Sequence, residues 1–227
     1  MVRKNTGVAR STVSCSAFAP PLQPGRLVVV APHPDDETLG AGGLLHDLGT
    51  HGWSTSVVVV SDGGGSHVDV PNLASMRAME CRRACSHLGV DTLTFLNFAD
   101  GSLSNFVEPI AARLAPIIEG ASLVVGPRVD DGHNDHRACA SALEVSVTQI
   151  KSPLPMRAHY GVWAWANQRE GNLNLGSSTR FLLSFDGRRA KRAALDEYVS
   201  QFTDLLGRPI VPIELIDVLN GPSEVFW

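Results

Sequence analysis

Leu27-Val28-Val29-Val30-Ala31-Pro32-His33-Pro34-Asp35-Asp36-Glu37-Thr38-Leu39-Gly40-Ala41-Gly42-Gly43 decides the fold. Five apolar residues run straight into a proline-flanked histidine and three consecutive acids, after which a helical pattern starts. Such a run, apolar on both faces, fits a buried parallel strand. The same pattern recurs downstream. Strands are predicted over Leu27 to Ala31, Thr55 to Val60, Thr92 to Leu96 and Leu123 to Val125. Helices are predicted over Glu37 to Leu48, Leu73 to Leu88 and Val107 to Ile118, with a fourth from about Asp135 to Thr148. Gly49, Gly89 and Gly120 stand where helices should stop. Alternation of this length implies right-handed crossovers and an α/β fold, a doubly wound, mostly parallel sheet flanked by helices.

Beyond this repeat the chain changes character. Pro153, Pro155, Trp163, Trp165 and the Gly/Asn-rich stretch Asn167 to Ser178 suggest an irregular region. Arg180 to Phe185 reads as another strand. Ala194, Leu195, Tyr198, Val199, Phe202, Leu205 and Leu206 then recur at helical spacing. Residues 1–25 read as a loosely ordered N-terminal arm, without the apolar core of a signal peptide. Residues 26–227 read as a single domain, since 227 residues can share one core.

Composition narrows the classes further. Hydrophobic residues make up 44% and charged residues 19%, which excludes wholesale disorder. A net charge of −4 offers no general attraction to nucleic acid, so no nucleic-acid partner is expected. No apolar run approaches the roughly 20 residues of a membrane span. Cys15, Cys81, Cys85 and Cys139 read as reduced thiols, which points to a cytoplasmic protein. Nothing in the sequence fixes an oligomeric state.

Two loops carry chemistry. In the first, helix capping explains one or two of the acids but not a histidine, two prolines and three acids together. The second is Asp130-Asp131-Gly132-His133-Asn134-Asp135-His136-Arg137. Both follow predicted strands at their C-terminal ends, where open α/β sheets bind ligands. They face one another only if the strand order reverses between the first and fourth strands. Two imidazoles, one carboxylate and a position left for water make a catalytic zinc site. Magnesium, which prefers oxygen, is second choice. His33 and Asp36 can point to one side, leaving Asp35 to address the water, and spacing leaves His133 and His136 equal as third ligand.

Together the two loops resemble the PIG-L/LmbE-like family of zinc-dependent N-acetylglucosamine deacetylases. The resemblance spans Arg26 to about Thr148, more weakly through the last helix, and implies a Rossmann-like fold. It also implies one Zn2+ per chain, or another divalent transition metal, on His33, Asp36 and His136, with Asp35 as general base. His133 would be the protonated group facing the oxyanion and leaving amine, oriented by Asp135. Arg77, in an Arg-x-x-Glu pattern with Glu80, resembles the arginine that reaches the distal part of the substrate. Asp100 resembles an aspartate that hydrogen-bonds a sugar hydroxyl. The implied reaction removes acetyl from a small N-acetylated amino sugar without a membrane partner.

Ser61-Asp62-Gly63-Gly64-Gly65-Ser66-His67 departs from the family's acid-containing loop, and reads as a mobile segment on the substrate side. An extra ligand role for His67 is disfavoured. Trp163 and Trp165 read as core or covering residues before sugar-stacking ones. The Arg188 to Arg192 cluster reads as a solvated face, and the Cys81/Cys85 pair as buried filler. Rival functions are a zinc amidase acting on a thiol conjugate of a related glycoside, a non-catalytic sugar-binding module, and a magnesium phosphoesterase.

Overall fold

A computed structural model describes residues 16–67, 69–166, 178–204 and 208–227. Residues 1–15 of the expected arm, most of Asn167 to Ser178, and Leu205 and Leu206 lie outside the described residues. The elements that place the site are strands β2 (Arg26–Ala31), β3 (Ser54–Ser61), β4 (Thr92–Phe98), β5 (Leu123–Pro127) and β6 (Met156–Tyr160). Helices α1 (Asp36–Thr50), α2 (Leu73–Leu88), α3 (Val107–Ile118) and α4 (Asn134–Gln149) alternate with them. Further along come α5 (Trp163–Ala166), β7 (Thr179–Leu182), α6 (Phe185–Leu195), α7 (Val199–Phe202), α8 (Ile213–Leu219) and β8 (Ser223–Phe226). A short strand, β1 (Ser16–Ala17), pairs with β7 at the sheet edge, and the neighbouring Phe18 is buried.

The sheet order is β1-β7-β8-β6-β5-β2-β3-β4, with only β8 antiparallel to its neighbours. From β2 the chain winds outward through β3 to β4, then returns to lay β5 against the other side of β2. The strand order therefore does reverse, at the seam between β2 and β5. Loops leaving these two strands meet across that seam.

Period-2 alternation divides the core between the two faces. Leu27, Val29, Val57 and Val59 point into one layer with residues of α1, α2 and α6. Val28, Val30, Val58 and Val60 point into the other with residues of α3 and α4. Gly89 caps α2, as expected. Gly49 instead lies inside α1, which runs on to Thr50.

The expected strand Arg180 to Phe185 ends at Leu182, because the Ser184 side chain accepts from Gly187 N–H and caps α6. The expected helix over Ala194 to Leu206 is broken after Leu195 and resumes as α7. Ala194, Leu195, Tyr198 and Phe202 still pack on the core on either side, so periodicity alone cannot reveal the break.

Within α1 the helix breaks at Ala41 (φ −147°, ψ 18°). Lys191 Nζ donates to the Leu39 carbonyl at 2.9 Å on one side of the break. Glu224 accepts from Gly43 N–H at 2.8 Å and Leu44 N–H at 2.9 Å on the other. The two side chains pair at 2.7 Å, both buried. Lys191 thus leaves the expected solvated basic face because a broken helix needs a cation for its free carbonyl. Gly40 lets the break pack against Tyr160, whose ring would lie 2.4 Å from an added Cβ.

Candidate metal centre and active site

The β2 loop is closed by its own side chains. Asp36 Oδ2 accepts from His33 N at 3.0 Å and lies 3.1 Å from His33 Nδ1. Asp35 occupies the N-cap position of α1, with φ 128° and no capping bond from its side chain. Such a conformation costs a non-glycine residue on the order of 1–3 kcal/mol and persists only where neighbours enforce it.

Arg77 is one enforcer. It donates to Asp35 Oδ2 at 3.1 Å, the Pro34 carbonyl at 2.7 Å and the Gly63 carbonyl at 2.9 Å. Gly63 sits at φ +70°, and an added Cβ there would lie 2.8 Å from Pro34. The glycine loop expected to be mobile is tied down as well: Gly64 N–H bonds Asp62 and Gly65 N–H bonds Asp100.

The β5 loop brings the second half. Asp131, only 1% exposed, accepts from the backbone of His133, Val162 and Ala164. Its Oδ1 lies 3.5 Å from His136 Nδ1. His133, rather than Asp135, caps α4: its Nδ1 accepts from Asp135 N–H at 3.2 Å. The Asp135 carboxylate turns to Gly101 N–H, Leu103 N–H and His33 Nε2 at 2.7, 3.1 and 3.3 Å. Asp135 therefore orients His133 through its backbone.

His136 is 0% exposed, and neither ring nitrogen makes a hydrogen bond. Its Nε2 nonetheless lies 3.1 Å from Asp36 Oδ2. Ligands about 2.0–2.1 Å from a tetrahedral ion stand roughly 3.3 Å apart, so two nearby atoms that do not bond each other fit a shared cation. One ring nitrogen each of His33, His133 and His136 can lie within 4.8 Å of the others. All the residues proposed as ligands thus come together, and both candidates for the third ligand are within reach. Nitrogen and oxygen donors in this mixture suit zinc or another divalent transition metal.

Asp35, Asp36, His33, Arg77, Asp100 and His133 line one cavity of about 230 Å³. Trp163 lines it too, its ring stacked 6.3 Å from His133, whereas Trp165 packs against the core and Trp227. Arg77 does not pair with Glu80. Glu80 accepts from Ser200 N–H and hydroxyl instead, tying α2 to α7. The three hydrogen bonds of Arg77 join the loop after β2 to the glycine loop at Gly63, while Arg77 also lines the cavity. His67 turns to the Arg208 carbonyl. Among the described residues Cys81, Cys85 and Cys139 are free and buried.

Electrostatics separate the two adjacent aspartates. Burial pushes the Asp35 carboxyl well above its ordinary range, although Arg77 opposes it. Asp36 is buried too, but the His136 and His33 imidazoles outweigh that and hold its carboxyl far below the usual range. Burial pulls the His33 pKa down, yet hydrogen bonds to Asp100, Asp135 and Asp36 raise it well above normal. Against burial, His33 brings Asp100 down to about 2. Burial, then the positive character of His33 and His136, lowers His133. Since Nδ1 accepts from Asp135 N–H, the ring proton of a neutral His133 sits on Nε2.

Sequence reading missed Asp131, Glu37 and Tyr198. The first could have been suspected from its place two residues before His133. Tyr198 carried no local signal, because it reaches the site through a contact of sequence separation 161.

Fold and site together define a Rossmann-like α/β protein with a buried His/Asp centre of metal-binding type at its switch point. Residues 28–147 match the family PIG-L, GlcNAc-PI de-N-acetylase, and the chain belongs to it. A diacetylchitobiose deacetylase from Thermococcus kodakarensis is 28% identical over 121 residues, which is 49% of this chain and 45% of that protein. The chain therefore spans under half the length of this curated relative. The conserved protein TT1542 from Thermus thermophilus superposes with a TM-score of 0.65 at 25% identity, covering 85% of this chain and 84% of that one. The zinc-inhibited form of teicoplanin deacetylase Orf2 shares the fold, with a TM-score of 0.72 at 20% identity over 89% of this chain and 97% of that one.

Proposed function

We propose that the chain hydrolyses the acetamide of a small N-acetylglucosamine-type sugar, releasing acetate and the free amine, with zinc held by His33, Asp36 and His136. One observation carries this reading. The buried His136 Nε2, without a hydrogen bond, lies 3.1 Å from the same Asp36 oxygen that meets His33 Nδ1. Beside them Asp35 lines a 230 Å³ cavity. Zinc bound to this set supplies a Lewis acid for the acyl oxygen and brings the pKa of a water to about 7.

The chain's own residues do the rest. Asp35, next in sequence to a ligand and on the cavity wall, takes the proton of the attacking water. His133 presents Nε2–H to the acyl oxygen, where negative charge develops during attack. Trp163 backs that imidazole and offers an apolar face to the sugar ring. Asp100, also on the wall, accepts from a sugar hydroxyl. Asp35 then returns its proton to the departing nitrogen, so one carboxyl serves both halves of the reaction.

The test is acetate release from a panel of N-acetylated amino sugars, with bound metal determined on the same preparation. Stoichiometric zinc, loss of activity on chelation and its return with zinc are expected. A metal-free protein whose activity survives chelation would falsify the reading. Turnover of an acylated thiol conjugate but of no N-acetyl sugar would move the substrate class and keep the metal chemistry.

A further inference from the structure

Glu37 is fully buried and has no part in the chemistry just described. Its carboxylate is nevertheless used at both ends. Oε2 accepts the backbone N–H of Asp35 at 3.1 Å, and Oε1 accepts the Thr38 hydroxyl at 2.6 Å and the phenol of Tyr198. Tyr198 is itself fully buried at the start of α7. That helix is anchored by Ser200, which donates from backbone and hydroxyl to Glu80 at 2.9 and 2.6 Å. A continuous set of contacts thus runs from α2 and α7 through Tyr198 and Glu37 to the amide of Asp35.

The amide matters because of the backbone there. At φ 128° the direction of the Asp35 side chain depends on a conformation that it would leave if released. Arg77 holds the carboxylate, and the first turn of α1 holds the carbonyl through Thr38 and Leu39 N–H at 3.1 and 2.9 Å. Glu37 is the side chain that holds the N–H. His33 and Asp36 are fixed by bonds to each other and to other residues, none of them through Glu37.

We infer that Glu37 and Tyr198 are positioning residues, a buried clamp that aims Asp35 without setting the metal ligands. The inference deepens the hydrolase reading and rests on it for the role of Asp35. It does not require a carboxylate at position 37. The amide oxygen of glutamine can accept from Asp35, and its NH2 can donate to two hydroxyls that rotate to accept.

The experiment measures kcat, KM and bound zinc for zinc-loaded wild type, Tyr198→Phe, Glu37→Ala and Glu37→Gln, with amide hydrogen exchange at Asp35 followed by NMR. Tyr198→Phe should lower kcat about tenfold and Glu37→Ala about a hundredfold, as expected when a reacting group is misplaced. KM and zinc content should stay within about twofold, because a base that is merely mis-aimed leaves ground-state binding alone. Glu37→Gln should recover kcat to within roughly threefold of wild type, since it keeps the bond to Asp35.

Exchange at the Asp35 amide should quicken at least about tenfold in Tyr198→Phe and Glu37→Ala but not in Glu37→Gln. Unchanged kcat in both weakening variants overturns the clamp. So does a loss that tracks zinc content or KM, or a glutamine variant as poor as alanine. If Glu37→Ala does not fold, Tyr198→Phe, which keeps the ring, decides. Should wild type release no acetate while exchange responds as described, the hydrolase reading fails and the clamp on Asp35 stands.

Discussion

Asp35 and Asp36 are neighbours in sequence with opposite electrostatic fates, and that contrast divides their work. Asp36 meets two imidazoles that hold its carboxyl far below the usual range, as the proposed ligand role requires, while burial raises the carboxyl of Asp35. Asp35→Asn should therefore lower kcat by about 10² to 10⁴, the usual contribution of a general base, while leaving bound zinc at the wild-type level. Metal analysis beside steady-state kinetics checks both halves, and a variant that loses its zinc would show that Asp35 is a ligand. Asp131 belongs to a different class, since it touches His136 Nδ1 rather than the cavity. Such a carboxylate orients a ligating imidazole, so Asp131→Ala should weaken zinc binding by about 10- to 100-fold. Competition with a chromophoric chelator measures this, and an unchanged affinity would remove Asp131 from the site.

Among the elements, α1 shows what a sequence conceals. Its start was legible, because a proline-flanked run of acids after an aliphatic strand is a helix N-terminus whatever else it is. The break at Ala41 was not, since the glycines around it fit a helix end or a close approach equally well. The cation and anion that settle the question come from Lys191 and Glu224, far along the chain. Lys191 was hidden for the same reason: among arginines it reads as solvated, and only the free Leu39 carbonyl and the Glu224 carboxylate together explain its burial. Strands β2, β3 and β5 were readable because both faces are buried, leaving aliphatic runs. Strands β6 and β8, Met-Arg-Ala-His-Tyr and Ser-Glu-Val-Phe, lack such runs and escaped notice. Glu224→Ala would orphan two N–H groups and leave a buried ammonium half-paired, at about 3–5 kcal/mol. Urea denaturation should show a lower midpoint with unchanged slope. A loss below about 1 kcal/mol would mean that water satisfies the break instead.

For the whole molecule, the two half-sites sit on either side of the β2–β5 seam, so a cation joining His33 and Asp36 to His136 would link the two windings of the sheet. Zinc at a thousand times its dissociation constant adds about 4 kcal/mol to stability. For a protein of this size that corresponds to roughly 10 °C in Tm. Calorimetry with and without chelator should show this difference in wild type and in Asp35→Asn alike, and its absence would count against a cation at the seam. The seam was foreseeable only as a condition, because two strands known to carry reactive loops need not be adjacent. Alternation of elements defines the layers, but lateral order is a long-range property. The same holds for β8, which fills the gap between β6 and β7 and brings Glu224 to a helix 180 positions earlier. A ribosome releases α1 long before it releases that glutamate. The nascent polypeptide must therefore wait, with one sheet margin unzipped, before the broken helix α1 can take final shape, and chaperones that shield bare strand margins would find their opportunity in that interval.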